Sequence, residues 1–138
     1  SYRRAYKKRR CLILSDGFYE WKKNGKVRVP YRVVLKSGEP FGFAGLWEEW
    51  ISPEDECVKS CTIVTTVANE AMSIIHHRMP VILAKDEEAV WLDPYLEDIM
   101  QLREFMIPLA DTEIEAYKVS SIVNSVKRDE LECIIEVR

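Results

Sequence analysis

The sequence contains no apolar run of the length that a membrane-spanning helix needs. Its first ten residues are basic, but no long apolar segment leads from them to a small-residue cleavage site, so we expect no signal peptide. It also contains no HExxH motif and no recognisable Ser/His/Asp arrangement, which argues against a classical peptidase acting on other proteins. These absences predict a protein that makes no membrane contact.

Paired cysteines are missing as well. Four cysteines are scattered along the chain without a CxxC pair, and no histidine or cysteine cluster completes a zinc set around them. They are Cys11, Cys57, Cys61 and Cys133. We expect reduced thiols in a cytosolic protein, and we expect no metal or organic cofactor.

Length and composition are ordinary for a globular protein. The chain has 138 residues, of which 47% are hydrophobic and 31% charged, so we expect one domain over residues 1–138 with a core of its own. The charge is unevenly divided. Residues 1–36 carry a balance of +10 and residues 37–138 one of −13, within a net charge of −3. The basic block predicts either a polyanion-binding surface or a solvated tail.

Short strands dominate the pattern. Asn24-Gly25 predicts a hairpin, because both positions tolerate positive φ, and Asn69 is placed to cap a short helix over 70–75. Close backbone approach is expected at Gly42 and Gly45. Strands are predicted at 11–16, 18–21, 31–35, 41–47, 58–67, 81–84, 114–119 and 131–137, and further helices at 86–92 and 95–106. The predicted class is α+β, mainly β, with short antiparallel strands and a few short helices.

Two short segments are typical of chemistry rather than packing. In Gly17-Phe18-Tyr19-Glu20-Trp21 the aromatic neighbours would desolvate Glu20 and favour its neutral form, which suits a general acid. The alternative is a surface glutamate on an alternating strand.

Ile75-His76-His77-Arg78-Met79-Pro80 holds both histidines of the chain. On a regular element the two rings would point in different directions, so one of them would face a given pocket. An imidazole there supplies acid–base chemistry near neutral pH, and Arg78 would bind a phosphate or a carboxylate. The alternative is a loop histidine with its hydrogen bonds satisfied locally.

Other side chains suit nucleic acid. Trp21 could stack on a base, and Thr65 at a strand end could bind a phosphate. The alternatives are a core tryptophan and a threonine that satisfies its own backbone.

Together these segments resemble the SOS-response-associated peptidase (SRAP) family. The likeness rests on Arg9–Ile13 followed by Asp16–Trp21, on Ile63–Thr66 running on to Asn69, on Ile75–Pro80, and on Val119-Ser120 to Asn124 with the hydrophobic C-terminal segment. Their ordered combination extends over essentially the whole chain, and it implies an SRAP-like fold.

The resemblance implies action on abasic sites in single-stranded DNA. An N-terminal cysteine, exposed by self-cleavage of the initiator Met, would form a stable cross-link with the sugar aldehyde. Glu20 would move protons in that condensation, and His76, rather than His77, would serve imine chemistry and reversal of the link. The expected DNA groove comprises Arg4, Arg10, Trp21, Thr65 and Arg78. A protein of this kind would be cytoplasmic, and associated with the nucleoid in a bacterium or archaeon.

The chain departs from the family pattern at its start. The family begins Met-Cys-Gly-Arg and has an Asn-Ala-Arg segment ahead of the basic stretch, and neither occurs here. We therefore expect a C-terminal portion of a family member that cannot form the cross-link alone, since Cys11 offers no α-amine. Self-association through the edge left uncovered is also expected.

Two other functions remain open from the sequence. One is a non-catalytic module for single-stranded nucleic acid, built on the basic block and the aromatics. The other is a protein-interaction domain unrelated to DNA. Whether the chain is an enzyme on its own is therefore undecided at this point.

Overall fold

The computed structural model describes residues 2–138, with only the backbone described for Tyr2. The helices are α1 (Tyr2–Lys8), α2 (Glu70–Ser73), α3 (Lys85–Leu92) and α4 (Ile99–Arg103). The strands are β1 (Arg10–Ser15), β2 (Phe18–Asn24), β3 (Val27–Leu35), β4 (Phe41–Ile51), β5 (Cys57–Ile63), β6 (Thr65–Val67), β7 (Arg78–Pro80), β8 (Ile82–Leu83) and β9 (Ile114–Lys118). The 3₁₀ turns are Asp111–Glu113, Ser121–Asn124 and Leu131–Ile134. The predicted class, α+β and mainly β with antiparallel strands, is confirmed.

The described chain forms two compact units. The first contains the chain up to Ser15, Phe41–Thr66 and Pro80–Pro108. Its sheet has the order β1-β4-β5, and β8 also pairs with β4. Trp91 of α3 and Leu102 of α4 are fully buried in its core, and they pack with residues in or next to the strands, namely Ala44, Leu46, Val64, Val81 and Leu83.

The second unit contains Asp16–Pro40, Val67–Met79 and Leu109–Arg138. Its sheet has the order β2-β3-β9, so β2 and β9 are the outer strands. A smaller core cluster forms on one face of this sheet from Val33, Met72, Met79 and Ile114.

The predicted β2–β3 hairpin is confirmed. Asn24 pairs with Val27, which leaves a two-residue loop of Gly25 and Lys26. Gly25 has a φ of 65°, whereas Asn24 belongs to the strand, so the glycine alone takes the left-handed conformation.

Close approach at the two glycines of β4 is also confirmed. A Cβ on Gly45 would lie 2.9 Å from Sγ of Cys11, and one on Gly42 would lie 3.3 Å from Cδ2 of Leu12. Side chains of β1 therefore occupy the space above β4 that a larger residue would fill.

Two predicted elements are wrong in extent or type. The helix predicted over 95–106 is reduced to α4, because Asp98 accepts a hydrogen bond from the N–H of Met100 and caps the helix there. The strand predicted over 131–137 is a 3₁₀ turn followed by a single bridge between Val119 and Glu136.

The strand predicted over 58–67 is present, but it is interrupted at Val64, which divides it into β5 and β6. The remaining predicted strands, and α3, are present within a few residues of their expected bounds.

Candidate functional site

Glu20 lies in the middle of β2, paired with Tyr31 of β3. Side chains alternate along a strand, so Glu20 shares a face with Phe18, which packs against the core cluster of its unit. The glutamate is half-buried, and its Oε1 accepts a hydrogen bond of 3.2 Å from the N–H of Trp21. The carboxylate therefore sits at the margin of an apolar face and retains access to solvent.

His76 follows α2, a single helical turn whose start is fixed by Asn69. The Asn69 side chain accepts a hydrogen bond of 2.8 Å from the N–H of Met72 and donates one of 2.8 Å to the carbonyl of Leu109. Met72 at the end of this turn is fully buried. The predicted cap is confirmed, and it anchors the segment that leads into His76.

The ring of His76 is held through Nδ1. The N–H of Arg78 lies 3.0 Å from Nδ1, and the Arg78 carbonyl lies 3.2 Å from the same atom. Nδ1 can thus accept from the N–H or, when protonated, donate to the carbonyl. Among residues 2–138 no hydrogen-bond partner is found for Nε2, which is left as the chemically available nitrogen.

We expected the two histidine rings to point in different directions, as neighbours on a regular element do. The structure shows otherwise. The rings are stacked, with centroids 4.5 Å apart and an interplanar angle of 23°. The reason is local, because Ile74 and Ile75 form a turn and His76 and His77 precede β7 in irregular backbone. His77 is exposed and His76 is half-buried.

One hydrophobic cluster contains chain neighbours of both candidate groups. Phe18, two residues before Glu20 on the same face of β2, packs on it. So do Ile75, directly before His76, and Met79, three residues after it. Glu20 and His76 are therefore anchored to one core within one compact unit.

Trp21 lies on the opposite face of β2 from Glu20, since the two are consecutive strand residues. Its indole N–H donates a hydrogen bond of 2.7 Å to Oδ1 of Asn124, and its ring is tilted against Tyr19 with centroids 6.3 Å apart. Trp21, Arg28 and Asn124 line an open recess of about 290 Å³.

The other candidates in this unit and beyond differ in their surroundings. Arg78 is half-buried in β7, and its backbone holds His76. Thr65 is exposed in β6, whereas the neighbouring Thr66 is buried and donates a hydrogen bond of 2.8 Å to the carbonyl of Met106. The exposed threonine is thus the one with access to a ligand.

Arg4 is exposed on α1. It lines a basic recess of about 500 Å³ together with Arg3, Lys7 and Lys8. Lys8 forms an ion pair with Glu97, so part of this charge is already neutralised.

Arg10 is used differently. Its guanidinium lies 2.6 Å from the carbonyls of Trp91 and Asp93, and it also contacts the carbonyls of Tyr6 and Lys7. These carbonyls belong to the C-terminal ends of α1 and α3, which lack helical partners. Burial lowers the pKa of Arg10 from its usual value, although Asp93 acts in the opposite direction. The structure thus gives Arg10 a capping role that leaves fewer donors for a phosphate.

The pKa is raised at two of the cysteines, Cys11 and Cys57. Cys11 is half-buried in β1, and its pKa is raised by burial and by the nearby Cys61. The exposed Cys57 lies 3.1 Å from a carboxylate oxygen of Glu49, and that contact raises its pKa. No group of three or more His, Cys, Asp or Glu side chains within residues 2–138 is arranged to hold a metal ion. No helix in the same range is long and apolar enough to cross a membrane.

Sequence reasoning did not single out Arg28 or Asn124 as site residues. Asn124 lies about one hundred positions from Trp21, and no periodicity connects them. The signal available for Arg28 was its place three residues past Gly25, from which the hairpin register puts it opposite Lys23.

Comparison with known proteins gives consistent matches. The profile of a family described as "SOS response associated peptidase (SRAP)" matches residues 1–126. The abasic site processing protein YoqW of Bacillus subtilis (strain 168) is 45% identical over 135 residues, covering 97% of this chain and 60% of that protein. The abasic site processing protein HMCES of Gallus gallus is 34% identical over 152 residues, covering 95% of this chain and 44% of that protein.

A crystal structure of a protein from Bacteroides thetaiotaomicron superposes with a TM-score of 0.89 at 27% identity, covering 99% of this chain and 61% of that one. The chain therefore spans less than two thirds of each of these proteins.

Proposed function

The chain belongs to the SOS response associated peptidase (SRAP) family, and from that premise we propose that it binds single-stranded DNA at abasic sites and carries the acid–base groups that act there. Relatives are named abasic site processing proteins. The observation that supports the proposal most is the fixed ring of His76, with Nδ1 held by Arg78 and Nε2 available, on the core that also anchors β2 beside Glu20.

The proposed chemistry is condensation with the sugar aldehyde. An amine nitrogen bonds to the aldehyde carbon and gives a carbinolamine. Protonation of the carbinolamine hydroxyl lets water leave and gives an imine, and a neighbouring thiol then adds to the imine carbon while its proton passes to the nitrogen. Glu20 is assigned the proton transfers of the dehydration, because a positioned carboxyl group is an effective acid for that step.

His76 is assigned the reverse reaction and the imine chemistry. With the Arg78 carbonyl as partner of Nδ1–H, Nε2 is a base. With the Arg78 N–H as partner of Nδ1, Nε2–H is a donor. The same backbone segment thus supports either role without movement of the ring, which suits a group that must work in both directions.

None of the four cysteines of this sequence corresponds to the N-terminal cysteine that the family resemblance implies. We propose cross-linking through such a cysteine, self-cleavage of an initiator Met, and lyase-like strand cleavage for family members that carry it. For this chain we propose DNA binding through Arg4, Trp21, Thr65 and Arg78. Arg10, predicted for the same groove, contributes mainly through the position of α1.

The first experiment compares single-stranded DNA bearing one abasic site with intact DNA, on native and denaturing gels. We expect a native shift that weakens with salt and no band that survives denaturation. A covalent band would contradict the proposal that these residues do not include the nucleophile. Absence of any shift at low salt would contradict DNA binding itself.

The acid–base assignment is tested with free cysteine, which supplies an amine and a thiol in solution. We expect the wild-type chain to accelerate its condensation with abasic DNA by about tenfold or more, and Glu20→Gln or His76→Gln to lose most of that effect. Matched controls are Glu39→Gln, an exposed turn carboxylate, and His77→Gln, the neighbouring exposed ring. Equal rates for Glu20→Gln and Glu39→Gln would refute the role of Glu20.

A non-catalytic module for single-stranded nucleic acid is the second candidate. It is favoured by the recess at Trp21 and the basic recess at Arg4, since neither depends on Glu20 or His76. Under this alternative, Glu20→Gln and His76→Gln would leave every reaction with abasic DNA unchanged and binding intact.

Self-association is proposed through β1. Among residues 2–138 the strand that pairs with β1 is β4. The carbonyl of Cys11 in β1 accepts a hydrogen bond from the Trp91 indole N–H, and the Leu14 side chain is 76% exposed. A strand with one partner strand can take a second strand along its other side. Sedimentation velocity should show a concentration-dependent dimer that Leu14→Lys abolishes. A wild-type monomer at every concentration would rule it out.

A further inference from the structure

We infer that the recess lined by Trp21, Arg28 and Asn124 binds one unpaired nucleobase together with its phosphate, and that Asn124 is the residue that fixes the indole plane for stacking. This inference rests on the proposed binding of single-stranded DNA. It adds Arg28 and Asn124 to the interface, and it places a base subsite on the face of β2 that is turned away from Glu20.

The indole of Trp21 is half-buried and lines the recess. The hydrogen bond of 2.7 Å to Asn124 fixes the rotation of the indole about the bond that joins Cβ to the ring. A tryptophan held in one orientation loses little conformational freedom when a base stacks on it, and stacking on aromatic side chains does not depend on base identity.

The amide of Asn124 accepts a hydrogen bond from the indole and has two N–H donors of its own. Only an oxygen can accept from the indole N–H, so Oδ1 faces Trp21 and the NH₂ group points elsewhere. Among the described residues no acceptor is found for that NH₂ group. The asparagine lies at the end of the 3₁₀ turn Ser121–Asn124, which is set by the Ser120 hydroxyl accepting from the N–H of Ile122. A rigid backbone thus presents two N–H donors beside the indole, suited to a carbonyl or ring nitrogen on a base edge.

The sheet face that carries Trp21 also carries two positive charges. Arg28 and Lys23 lie directly opposite each other in the β2–β3 register, on the same face as Trp21. Like charges in that position destabilise a sheet unless an anion lies between or beside them. Within residues 2–138 neither cation has an ion-pair partner. A phosphate next to the stacked base would relieve the repulsion and occupy the guanidinium.

The size of the recess limits the ligand. A volume of about 290 Å³ is at the lower end of the range for small-molecule sites, which suits one planar ring system and its sugar. A longer stretch of DNA would therefore place a single base here and continue over the edge of the sheet, since β2 is its outer strand.

The test is a positional scan by fluorescence anisotropy with the full chain. Each base flanking the abasic site is replaced in turn by a tetrahydrofuran spacer, which keeps the phosphate and removes the ring. We expect one position at which the spacer weakens binding by about tenfold. Asn124→Ala should reduce that ratio to below about twofold while affinity for the spacer-substituted strand stays the same, because only the positioning of the indole is lost.

Two further variants separate the roles. Asn124→Asp keeps an acceptor for the indole N–H and should restore most of the ratio, although its charge lowers affinity for all strands. Arg28→Gln should reduce the slope of affinity against salt by about one phosphate contact, whereas Lys26→Gln in the same hairpin should change it less.

Three results would contradict different parts of the inference. Binding of abasic DNA with no sensitive position would overturn the base subsite and leave the proposed function standing. An equal loss of affinity for every strand in Asn124→Ala would overturn the positioning role. No binding of any strand at low salt would overturn the proposed function and the subsite with it.

Discussion

Glu20 and Trp21 are adjacent in the chain and serve opposite faces of β2. The aromatic run around Glu20 therefore does not enclose it as we inferred from the sequence, because its own face carries Phe18, while Tyr19 and Trp21 lie on the other face. Phe18, which shares the face of Glu20, packs on the core. The sequence was enough to identify Glu20 as a candidate residue. Its surroundings could be described only from the pairing of β2 with β3.

Arg10 shows the same limit at one side chain. A basic stretch predicts phosphate contacts, yet four carbonyl contacts hold this guanidinium at the ends of α1 and α3. The two carbonyls from α3 lie more than eighty positions away, and no local pattern announces them. Arg4, six residues earlier, is exposed and remains available for the predicted role.

Cys11 provides a prediction at the residue scale. Because burial raises its pKa, a smaller fraction is thiolate near neutral pH, and β1 and β4 restrict access to it. We expect iodoacetamide at pH 7.5 to modify the exposed Cys61 at least about tenfold faster than Cys11, as followed by peptide mass spectrometry. Raising the pH should narrow the difference, since the raised pKa is then approached. Faster modification of Cys11 would indicate an activated thiol and would return it to consideration as a nucleophile.

At the scale of elements, α2 depends on Asn69 more than on its four helical residues. The side chain caps the turn at Met72 and donates to the Leu109 carbonyl, and Asn69 is only 8% exposed. We expect Asn69→Ala to lower the free energy of unfolding by about 1–3 kcal/mol, as measured by urea denaturation, since both the cap and a buried donor are lost.

Asn69→Asp is the matched control for that change. It keeps the acceptor for the Met72 N–H and loses the donor to Leu109, so its stability should fall between wild type and Asn69→Ala. If the free energy of unfolding of Asn69→Ala is within about 0.5 kcal/mol of the wild-type value, the cap does not determine the position of the His76 segment.

Short-range signals predicted the elements that local chemistry specifies. The β2–β3 hairpin, the Asn69 cap and the two glycines of β4 could all be predicted from the sequence, because each reflects a requirement within a few residues or a missing Cβ. The strand predicted over 131–137 failed because its carbonyls have distant partners. The hydroxyls of Tyr19 and Tyr117 donate to the carbonyls of Cys133 and Ile134, in place of a strand ladder.

At the scale of the whole molecule, the order of segments matters. Each compact unit is assembled from three separate stretches of chain, and the stretches of the two units alternate along the sequence. The sheet of each unit therefore requires pairing between distant segments, such as β3 with β9. No single cut would release either unit as a continuous piece, and the single domain over residues 1–138 stays a prediction.

We accordingly expect residues 1–138 to unfold in one cooperative transition. The reason is that the stretches of the two units alternate along the chain, so unfolding of one unit releases the ends of the stretches that form the other. Circular dichroism and tryptophan fluorescence in urea should give coincident curves. Trp47, Trp50 and Trp91 lie in the first unit, and Trp21 lies in the second. A Trp21→Phe variant therefore follows the first unit, and a variant that combines Trp47→Phe, Trp50→Phe and Trp91→Phe follows the second. Separate midpoints in these two variants, each stable enough to compare with wild type, would show that the units fold independently and that the chain is two domains interleaved in sequence.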